Sequence, residues 1–180
     1  MVIRTVRSHV VYRNRWLALR EDEIERPDGS QGIYAVIEKP DFALVIPVED
    51  GHLYLVEQYR LPVRGRFLEF PQGSWELRPD ANPIDVARGE LQEETGLLAE
   101  RLEHLGHLFI ASGMTNQGFH IFQATGFTAG APSPENEEHD LVVKRVRVAE
   151  FEQMVQAGEI KDAASISAWA LLMMKQVKAS

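Results

Sequence analysis

The chain has 180 residues, of which 44% are hydrophobic and 26% are charged, and its formal net charge is −8. This length and apolar content suit one well-filled core, and the lack of cysteine excludes both a disulfide framework and a cysteine-ligated zinc site. The acidic balance argues against a nucleic-acid partner, because binding to a phosphate backbone depends on clustered Lys and Arg.

No stretch reaches the roughly 18 apolar residues of a membrane span, and the first ten residues lack the apolar run of a signal peptide. We therefore expect a cytoplasmic protein without a membrane partner.

Alternating apolar residues predict three antiparallel strands at residues 3–12, 15–24 and 32–38, with a turn at the Pro-Asp-Gly-Ser sequence of residues 27–30. Two further strands, at 42–48 and 52–58, flank the Asp-Gly pair at 50 and 51, which is a strong hairpin signal. This hairpin is expected to open the main mixed sheet.

A short helix follows, with unusually clear boundary signals. Asn82 suits the cap position, Pro83 suits the first helical position because its missing N–H needs no partner there, and Gly96 supplies the stop. Asp85 adds favourable negative charge to the first turn. The sequence thus predicts a helix over residues 83–95.

Three glutamates share one edge of this predicted helix, at spacings of three and four residues: Glu90, Glu93 and Glu94. Like charges at such spacings repel, so the cluster costs helix stability unless a hard cation lies among the oxygens. Mg²⁺ is the usual cation for a few carboxylates that leave positions open for water and phosphate. The simpler alternative is a solvated acidic helix face.

The sequence around the triad favours the metal. A glycine-containing loop, Phe-Pro-Gln-Gly-Ser at residues 70–74, leads into the helix, and the segment 69–97 resembles the signature box of the Nudix hydrolases. Gly73 matches the first glycine of that box, and its closing half is matched by Glu90, Leu91, Glu93, Glu94, Gly96 and Leu97.

Two positions depart from the box. Gly89 stands where the family has an arginine before the first helical glutamate, which should weaken the helix by about 1 kcal/mol relative to Ala. Ala81 stands where the box has an isolated glutamate, and Glu76 is the candidate to replace it. The neighbouring Arg88 points in another direction from the helix.

The resemblance implies an α+β fold in which a mixed β-sheet is sandwiched between helices (α/β/α), preceded by the antiparallel three-stranded sheet. It divides the chain into an N-terminal β appendage, residues 1–40, and a Nudix catalytic domain, residues 41–180. In the ADP-ribose and nucleotide-sugar branch of the family such an appendage is commonly exchanged between subunits, which implies a domain-swapped homodimer. Trp16 is then a candidate for stacking on a base, and ordinary sheet packing is the alternative.

The resemblance also assigns the metal site. It implies that Glu90 and Glu94 ligate Mg²⁺, with Mn²⁺ as the alternative, and that Glu93 shares this site and counts among the catalytic residues. A backbone carbonyl near Gln72 is expected to complete the cage.

Three other segments resemble this branch of the family. In the Gln-Tyr-Arg-Leu-Pro run of residues 58–62, Arg60 is expected to pair with Glu69 or to meet a phosphate, while the arginines on either side of Gly65 are expected to form a solvated turn. Loop 111–117 resembles the Ser-Pro-Gly loop of the branch and offers Met114 as a substrate contact. Ser112 replaces its proline, which favours a broader nucleotide-sugar specificity. Residues 158–163 resemble the C-terminal run of the branch.

An acidic loop, residues 131–140, holds the candidate catalytic base, because the resembling enzymes carry their base on a flexible acidic loop between late strands. Glu138 is the first candidate, and Glu137 and Asp140 are the alternatives. Strands are predicted at 102–110 and 119–124 before this loop and at 141–148 after it, and helices at 150–157 and 164–178. Five residues of the last helix have core spacing: Ile166, Trp169, Leu172, Met173 and Val177.

We therefore expect a metal-dependent hydrolase that splits the pyrophosphate of nucleoside diphosphate sugars such as ADP-ribose into a nucleoside monophosphate and a sugar phosphate. Two alternatives remain: a sensor that binds a nucleotide sugar without cleaving it, and an RNA 5′ pyrophosphohydrolase. His104, His107 and His120 have no metal-ligand company in the sequence and are expected to be structural.

Overall fold

The computed structural model describes residues 2–75, 77–78, 80–131 and 140–179 of the chain. Within these residues the backbone forms two sheets and three α-helices. In chain order the elements are β1 (Arg4–Arg13), β2 (Ala18–Glu25), β3 (Gln31–Glu38), β4 (Phe42–Glu49), β5 (His52–Arg60), a 3-10 turn (Leu61–Val63), β6 (Gly65–Glu69), β7 (Gln72–Gly73), α1 (Pro83–Thr95), β8 (Leu97–Phe109), β9 (Gly118–Ala129), β10 (Val142–Arg147), α2 (Val148–Gln156) and α3 (Ala163–Ala179).

The first sheet is the predicted antiparallel meander in the order β1-β2-β3. Its second turn forms as its residues require: the Asp28 carboxylate accepts a hydrogen bond from the Ser30 amide at 3.0 Å, and Gly29 has a φ of 82°. This local turn chemistry fixes the register of β2 on β3.

The second sheet has the order β10-β5-β4-β9-β8, with β6 paired to β5 and β7 paired to β4. The β4 and β9 strands are parallel, with Phe42 opposite Phe119, while the other described pairs are antiparallel. The Asp50-Gly51 turn that joins β4 to β5 has positive φ at both residues, 49° and 70°, as a tight hairpin requires.

Helices cover both faces of this sheet, and β4 shows how. Successive side chains of a strand point to opposite faces. Leu44 and Ile46 lie in a buried cluster that includes residues of α2 and α3, whereas Ala43 and Val45 lie in a second cluster with residues of α1. The predicted α+β fold, a mixed sheet between helices preceded by a three-stranded sheet, is confirmed.

Three details differ from the sequence expectation. The segment around Gly65 is strand β6 rather than a solvated turn, and its Arg66 donates to the Glu57 carboxylate at 3.0 Å. The strands β8 and β9 are longer than predicted, because they pair along almost their whole lengths as one hairpin. Val177 was expected in the core but is 77% exposed, and it does not belong to the buried cluster that earlier residues of α3 form with the sheet.

None of the helices in the described part of the chain has the length and apolar content needed to cross a membrane.

Candidate active site

The glutamate edge of α1 lies inside the protein rather than in solvent. Asn82 accepts a hydrogen bond from the Ile84 amide at 3.3 Å, and Gly96 ends the helix with a φ of 72°, so both predicted boundaries form. Glu90 and Glu94 are only 6% and 1% exposed, and Glu93 is half-buried. The solvated-face alternative therefore does not describe Glu90 and Glu94.

The short strand β7 packs directly against these carboxylates. The Gln72 amide donates a hydrogen bond to Glu94 Oε2 at 3.1 Å. A Cβ atom on Gly73 would come within 2.3 Å of Glu90 Oε2, so only glycine leaves room for that carboxylate. The first glycine of the box thus has a steric role: it makes the cradle in which Glu90 sits.

This arrangement fits a divalent cation. Two carboxylates one helical turn apart are withdrawn from water, and burial of such charges is costly unless they are paired or coordinate a metal. The ligand oxygens are hard donors of the kind that Mg²⁺ and Mn²⁺ prefer. Glu90, Glu94 and the backbone at Gln72 are the residues that could hold the ion.

A third buried carboxylate, that of Glu69, lies on strand β6. Glu69 is 3% exposed, accepts a hydrogen bond from Gln58 Nε2 at 2.7 Å, and is bound by the Arg60 guanidinium through Nη2 and through Nε at 3.2 Å. Burial raises the pKa of Glu69, and the adjacent Arg60 charge opposes that rise. Arg60 and Glu69 therefore form an ion pair, and Glu69 is one of the two partners that the sequence indicated for Arg60.

Glu90, Gly73, Gln72, Glu69 and Arg60 line one cleft of about 930 Å³. The side chains that line the cleft suit a nucleotide, because they include cationic, acidic and aromatic groups. Its described lining includes Trp16, Lys39, Phe42, Arg60, Phe67, Glu69, Gln72, Gly73, Glu90, Gln117, Lys161 and Asp162. Lys39, Lys161 and Asp162 were not singled out from the sequence as site residues. Lys39 and the adjacent pair Lys161 and Asp162 come from two separate segments that only the fold brings together.

The N-terminal sheet reaches this cleft within the same chain. Trp16, which is 45% exposed, lines the cleft, and Arg15 stacks over its ring at 4.1 Å. The end of β3 binds the loop 111–117 through a hydrogen bond from the Ile37 amide to the Met114 carbonyl at 2.9 Å. The Met114 side chain is exposed and is not among the residues found to line the cleft in the described structure.

The candidate bases fall largely beyond what the structure describes. Glu137 and Glu138 lie outside the described residues, as does Glu76. Asp140 is described: its carboxylate pairs with Arg66 Nη1, and its carbonyl accepts from Arg66 Nη2 at 2.8 Å. Asp140 therefore anchors the end of the acidic loop to β6.

The unusual Gly89 of the box has a partner. A Cβ atom at Gly89 would lie 2.3 Å from Trp75 Cζ2, so the indole packs onto the bare helix backbone, and Arg78 covers that ring at 3.9 Å. Arg88 points away, as predicted, and donates to the Ala99 carbonyl at 3.0 Å. The glycine therefore admits Trp75 rather than merely weakening the helix.

The fold and the carboxylate cradle define a class of protein, and comparison with known families agrees. A NUDIX domain matches residues 38–170, and a nucleoside diphosphate sugar hydrolase N-terminal domain matches residues 3–37. The chain belongs to the Nudix family.

Individual relatives make the position within the family more specific. The chain is 29% identical over 165 residues to an ADP-ribose pyrophosphatase of Mycobacterium tuberculosis, and this alignment covers 91% of this chain and 79% of the relative. It is 25% identical over 175 residues to an ADP-ribose pyrophosphatase of Bacillus subtilis, with coverages of 96% and 94%. The predicted resemblance to the ADP-ribose pyrophosphatase branch is confirmed.

Two further similarities support less: one shows only the fold, and the other covers only part of the chain. A crystal structure of an ADP compounds hydrolase superposes with a TM-score of 0.87 over 100% of this chain and 97% of that chain, at 21% identity, which shows the fold. An RNA pyrophosphohydrolase of Stenotrophomonas maltophilia is 37% identical over 68 residues, which is 38% of this chain.

Proposed function

We propose that the protein is a metal-dependent hydrolase that cleaves the pyrophosphate of nucleoside diphosphate sugars such as ADP-ribose, releasing a nucleoside monophosphate and a sugar phosphate. The observation that carries this proposal is the pair of buried carboxylates, Glu90 and Glu94, held against Gln72 and Gly73. Glu90, Gln72 and Gly73 line a cleft of nucleotide size. Family membership and the ADP-ribose pyrophosphatase relatives support the same conclusion.

The metal residues are Glu90 and Glu94, with Glu93 at the edge of the site and the backbone near Gln72 as a further donor. A divalent ion held by these residues, Mg²⁺ or Mn²⁺, would supply Lewis-acid chemistry by polarising phosphate oxygens and making bound water more acidic. The Gln72 amide and the space above Gly73 hold the carboxylate oxygens of Glu94 and Glu90 in place, so the metal site is organised before substrate binds.

The cleft supplies the remaining binding groups. Arg60, Lys39 and Lys161 offer positive charge to a diphosphate, and the Glu69 carboxylate fixes the direction of the Arg60 guanidinium. Trp16 offers an aromatic face to the base. The cationic groups and the indole thus suit the two phosphates and the base of one ligand.

Proton transfer from the attacking water is assigned to the acidic loop. Glu138 is the proposed base, with Glu137 and Asp140 as alternatives, because a base must reach the water without replacing a metal ligand. Asp140 is paired with Arg66, which favours the glutamates that precede it. Glu93 stays a predicted catalytic residue because it would share the metal site.

We also propose that residues 1–40 form a dimerisation appendage that is exchanged between two subunits of a homodimer. The support is the apolar exposure of its strands, including Val6, Val10 and Tyr12 of β1 and Ile33 of β3. The cytoplasm stays the predicted compartment.

The sensor alternative arose from the departures at Gly89 and Ala81. The packing of Trp75 on Gly89 weakens the inference of a non-catalytic site, because it gives the glycine a structural role. The acidic balance of the chain disfavours the RNA alternative, and the RNA pyrophosphohydrolase relative matches 38% of this chain.

The deciding experiment is a hydrolysis panel with Mg²⁺ or Mn²⁺ in which ADP-ribose, other nucleotide sugars, nucleoside triphosphates and a 5′-triphosphorylated RNA are offered at equal concentration. Turnover of the nucleotide sugars is expected, and Glu94→Gln should reduce it by at least about 100-fold, as loss of a metal ligand does. Asp85→Asn, the same chemical change at an exposed position of the same helix, is the matched control. Binding without turnover, or full turnover by Glu94→Gln, would overturn the proposal.

A further inference from the structure

A second group of metal-ligating side chains lies outside the cleft, where three strands meet. Asp41 stands immediately before β4, His120 is on β9 and His107 is on β8. The ligand atoms of these three residues lie within 4.8 Å of one another. Contrary to the sequence expectation, these histidines do have metal-ligand company, because the parallel pairing of β4 with β9 places Asp41 beside them.

The distances among the three groups are close to those that a metal ion needs. His107 Nε2 is 2.8 Å from Asp41 Oδ2, and His120 Nε2 is 3.9 Å from the same oxygen. Ligands about 2.0–2.1 Å from a tetrahedral zinc ion lie about 3.4 Å apart, which falls between these two values. The side chains of Asp41 and His107 are exposed, so small rotations can close the remaining difference.

Neighbouring groups orient Asp41 and His120. Asp41 Oδ1 accepts a hydrogen bond from the Gly118 amide at 2.7 Å, which orients the carboxylate and leaves Oδ2 directed at the histidines. His120 Nδ1 is 3.3 Å from His104 Nε2. In the tautomer in which His120 Nδ1–H donates a hydrogen bond to His104 Nε2, the Nε2 atom of His120 carries no hydrogen and can ligate a metal, which is the outer-shell arrangement of metal-ligating histidines.

Glycine also shapes this site. A Cβ atom at Gly118 would come within 2.2 Å of His107 Nε2, so the imidazole lies directly over the backbone of β9. Burial lowers the pKa of His120, with the nearby His107 and His104 adding to this effect and the Asp41 carboxylate opposing it.

The geometry points to a binding site for one first-row transition ion of the zinc type, formed by Asp41 Oδ2, His107 Nε2 and His120 Nε2, with water as the expected fourth ligand. Two imidazoles and one carboxylate are a donor set for Zn²⁺ rather than for the oxygen-seeking Mg²⁺. On binding, the ion takes the place of the proton between His107 and Asp41, and that proton moves to His107 Nδ1.

This site is separate from the proposed catalytic cage, and its role is to join strands. In the described structure, Asp41, His107 and His120 are not among the residues that line the catalytic cleft. An ion here would tie the start of β4 to the β8–β9 hairpin, and it would stabilise the folded chain by mass action. The inference does not depend on the proposed hydrolysis.

The test is a calorimetric titration with Zn²⁺ alone on the full chain carrying Glu90→Gln and Glu94→Gln, so that the catalytic cage does not contribute. One equivalent is expected to bind and to raise the thermal unfolding midpoint. His120→Gln in this background should weaken binding by at least about 100-fold, since outer-shell changes alone cost 10–100-fold. Asp41→Asn should also weaken it while keeping the Gly118 hydrogen bond, because an amide oxygen still accepts there.

His9→Gln is the matched control, since His9 lies beside Glu21 at 3.7 Å on the N-terminal sheet, away from the Asp41 group. Zinc affinity should be unchanged in this variant. Absence of a zinc site in the Glu90→Gln, Glu94→Gln background, or equal weakening by His9→Gln and His120→Gln, would overturn the inference. Unchanged affinity in a folded Asp41→Asn variant would do the same.

Discussion

Replacement of Gly73 by alanine tests the cradle directly. The added Cβ would lie 2.3 Å from Glu90 Oε2 and 2.6 Å from its Cδ, whereas ordinary carbon-oxygen contacts are about 3.3 Å or longer, so the carboxylate must retreat by about 1 Å. A misplacement of this size at a reacting centre can cost about 100-fold in rate. We therefore expect kcat for Gly73→Ala to fall by about that factor and the Mg²⁺ requirement to rise.

Stability should change little in the same variant. The clash is with the far end of a side chain, and Gly→Ala at an extended position reduces the entropy of the unfolded chain, so the free energy of unfolding should stay within about 1 kcal/mol of the starting value. The assay is release of nucleoside monophosphate from ADP-ribose across a Mg²⁺ titration, together with thermal unfolding. Gly113→Ala is the control, because nothing lies within 4 Å of the added atom there. Equal kcat values for the two variants at every Mg²⁺ concentration would refute the cradle.

Three further outcomes follow from described contacts. Gly89→Ala should fail to gain the about 1 kcal/mol of helix propensity, because the methyl group would lie 2.3 Å from Trp75; a thermal midpoint raised by the full amount would contradict the packing. Trp16→Ala should raise KM more than it lowers kcat, with Trp16→Phe intermediate, if the indole stacks on the base; unchanged KM in steady-state assays would leave it a packing residue. The hydrogen bond with Lys144 lowers the pKa of Glu57 from its ordinary 4.5, so the interaction stabilises the fold above that pH and is lost as pH falls through the lower folded value. Denaturant unfolding of Glu57→Gln should thus show a loss of about 1 kcal/mol or less near neutrality that disappears in acid, and a constant difference at all pH values would count against it.

Features encoded by neighbouring residues were predictable from the sequence. The first helix forms with the cap and stop that Asn82, Pro83 and Gly96 indicated, because each acts on backbone groups within one turn of itself. The hairpin at Asp50 and Gly51 and the three N-terminal strands formed for the same reason. The glutamate edge could be located from spacing, but spacing alone could not distinguish a buried edge from a solvated one.

Features that depend on distant pairing were not predictable in this way. Strand β6 forms because it pairs with β5. From the sequence alone, Gly65 indicates a turn and gives no sign of this pairing. The Asp41 group was overlooked because its carboxylate is 66 residues from His107, and only the order β4-β9-β8 brings them together. The cleft lysines, Lys39 and Lys161, were missed since exposed lysine is common, and the resemblance of residues 158–163 to the branch assigned no role to Lys161.

The parallel contact between β4 and β9 has a consequence for how the chain reaches this structure. Asp41 and Gly118, which meet at the start of that contact, are 77 residues apart, whereas β1, β2 and β3 pair through short turns. Contacts between distant residues form slowly because loop closure must precede them. During synthesis the N-terminal meander can therefore form early, while the apolar strand β4 waits for β9 to leave the ribosome. In that interval the edge of β4 that later pairs with β9 is open, which exposes an apolar strand to aggregation and to chaperones.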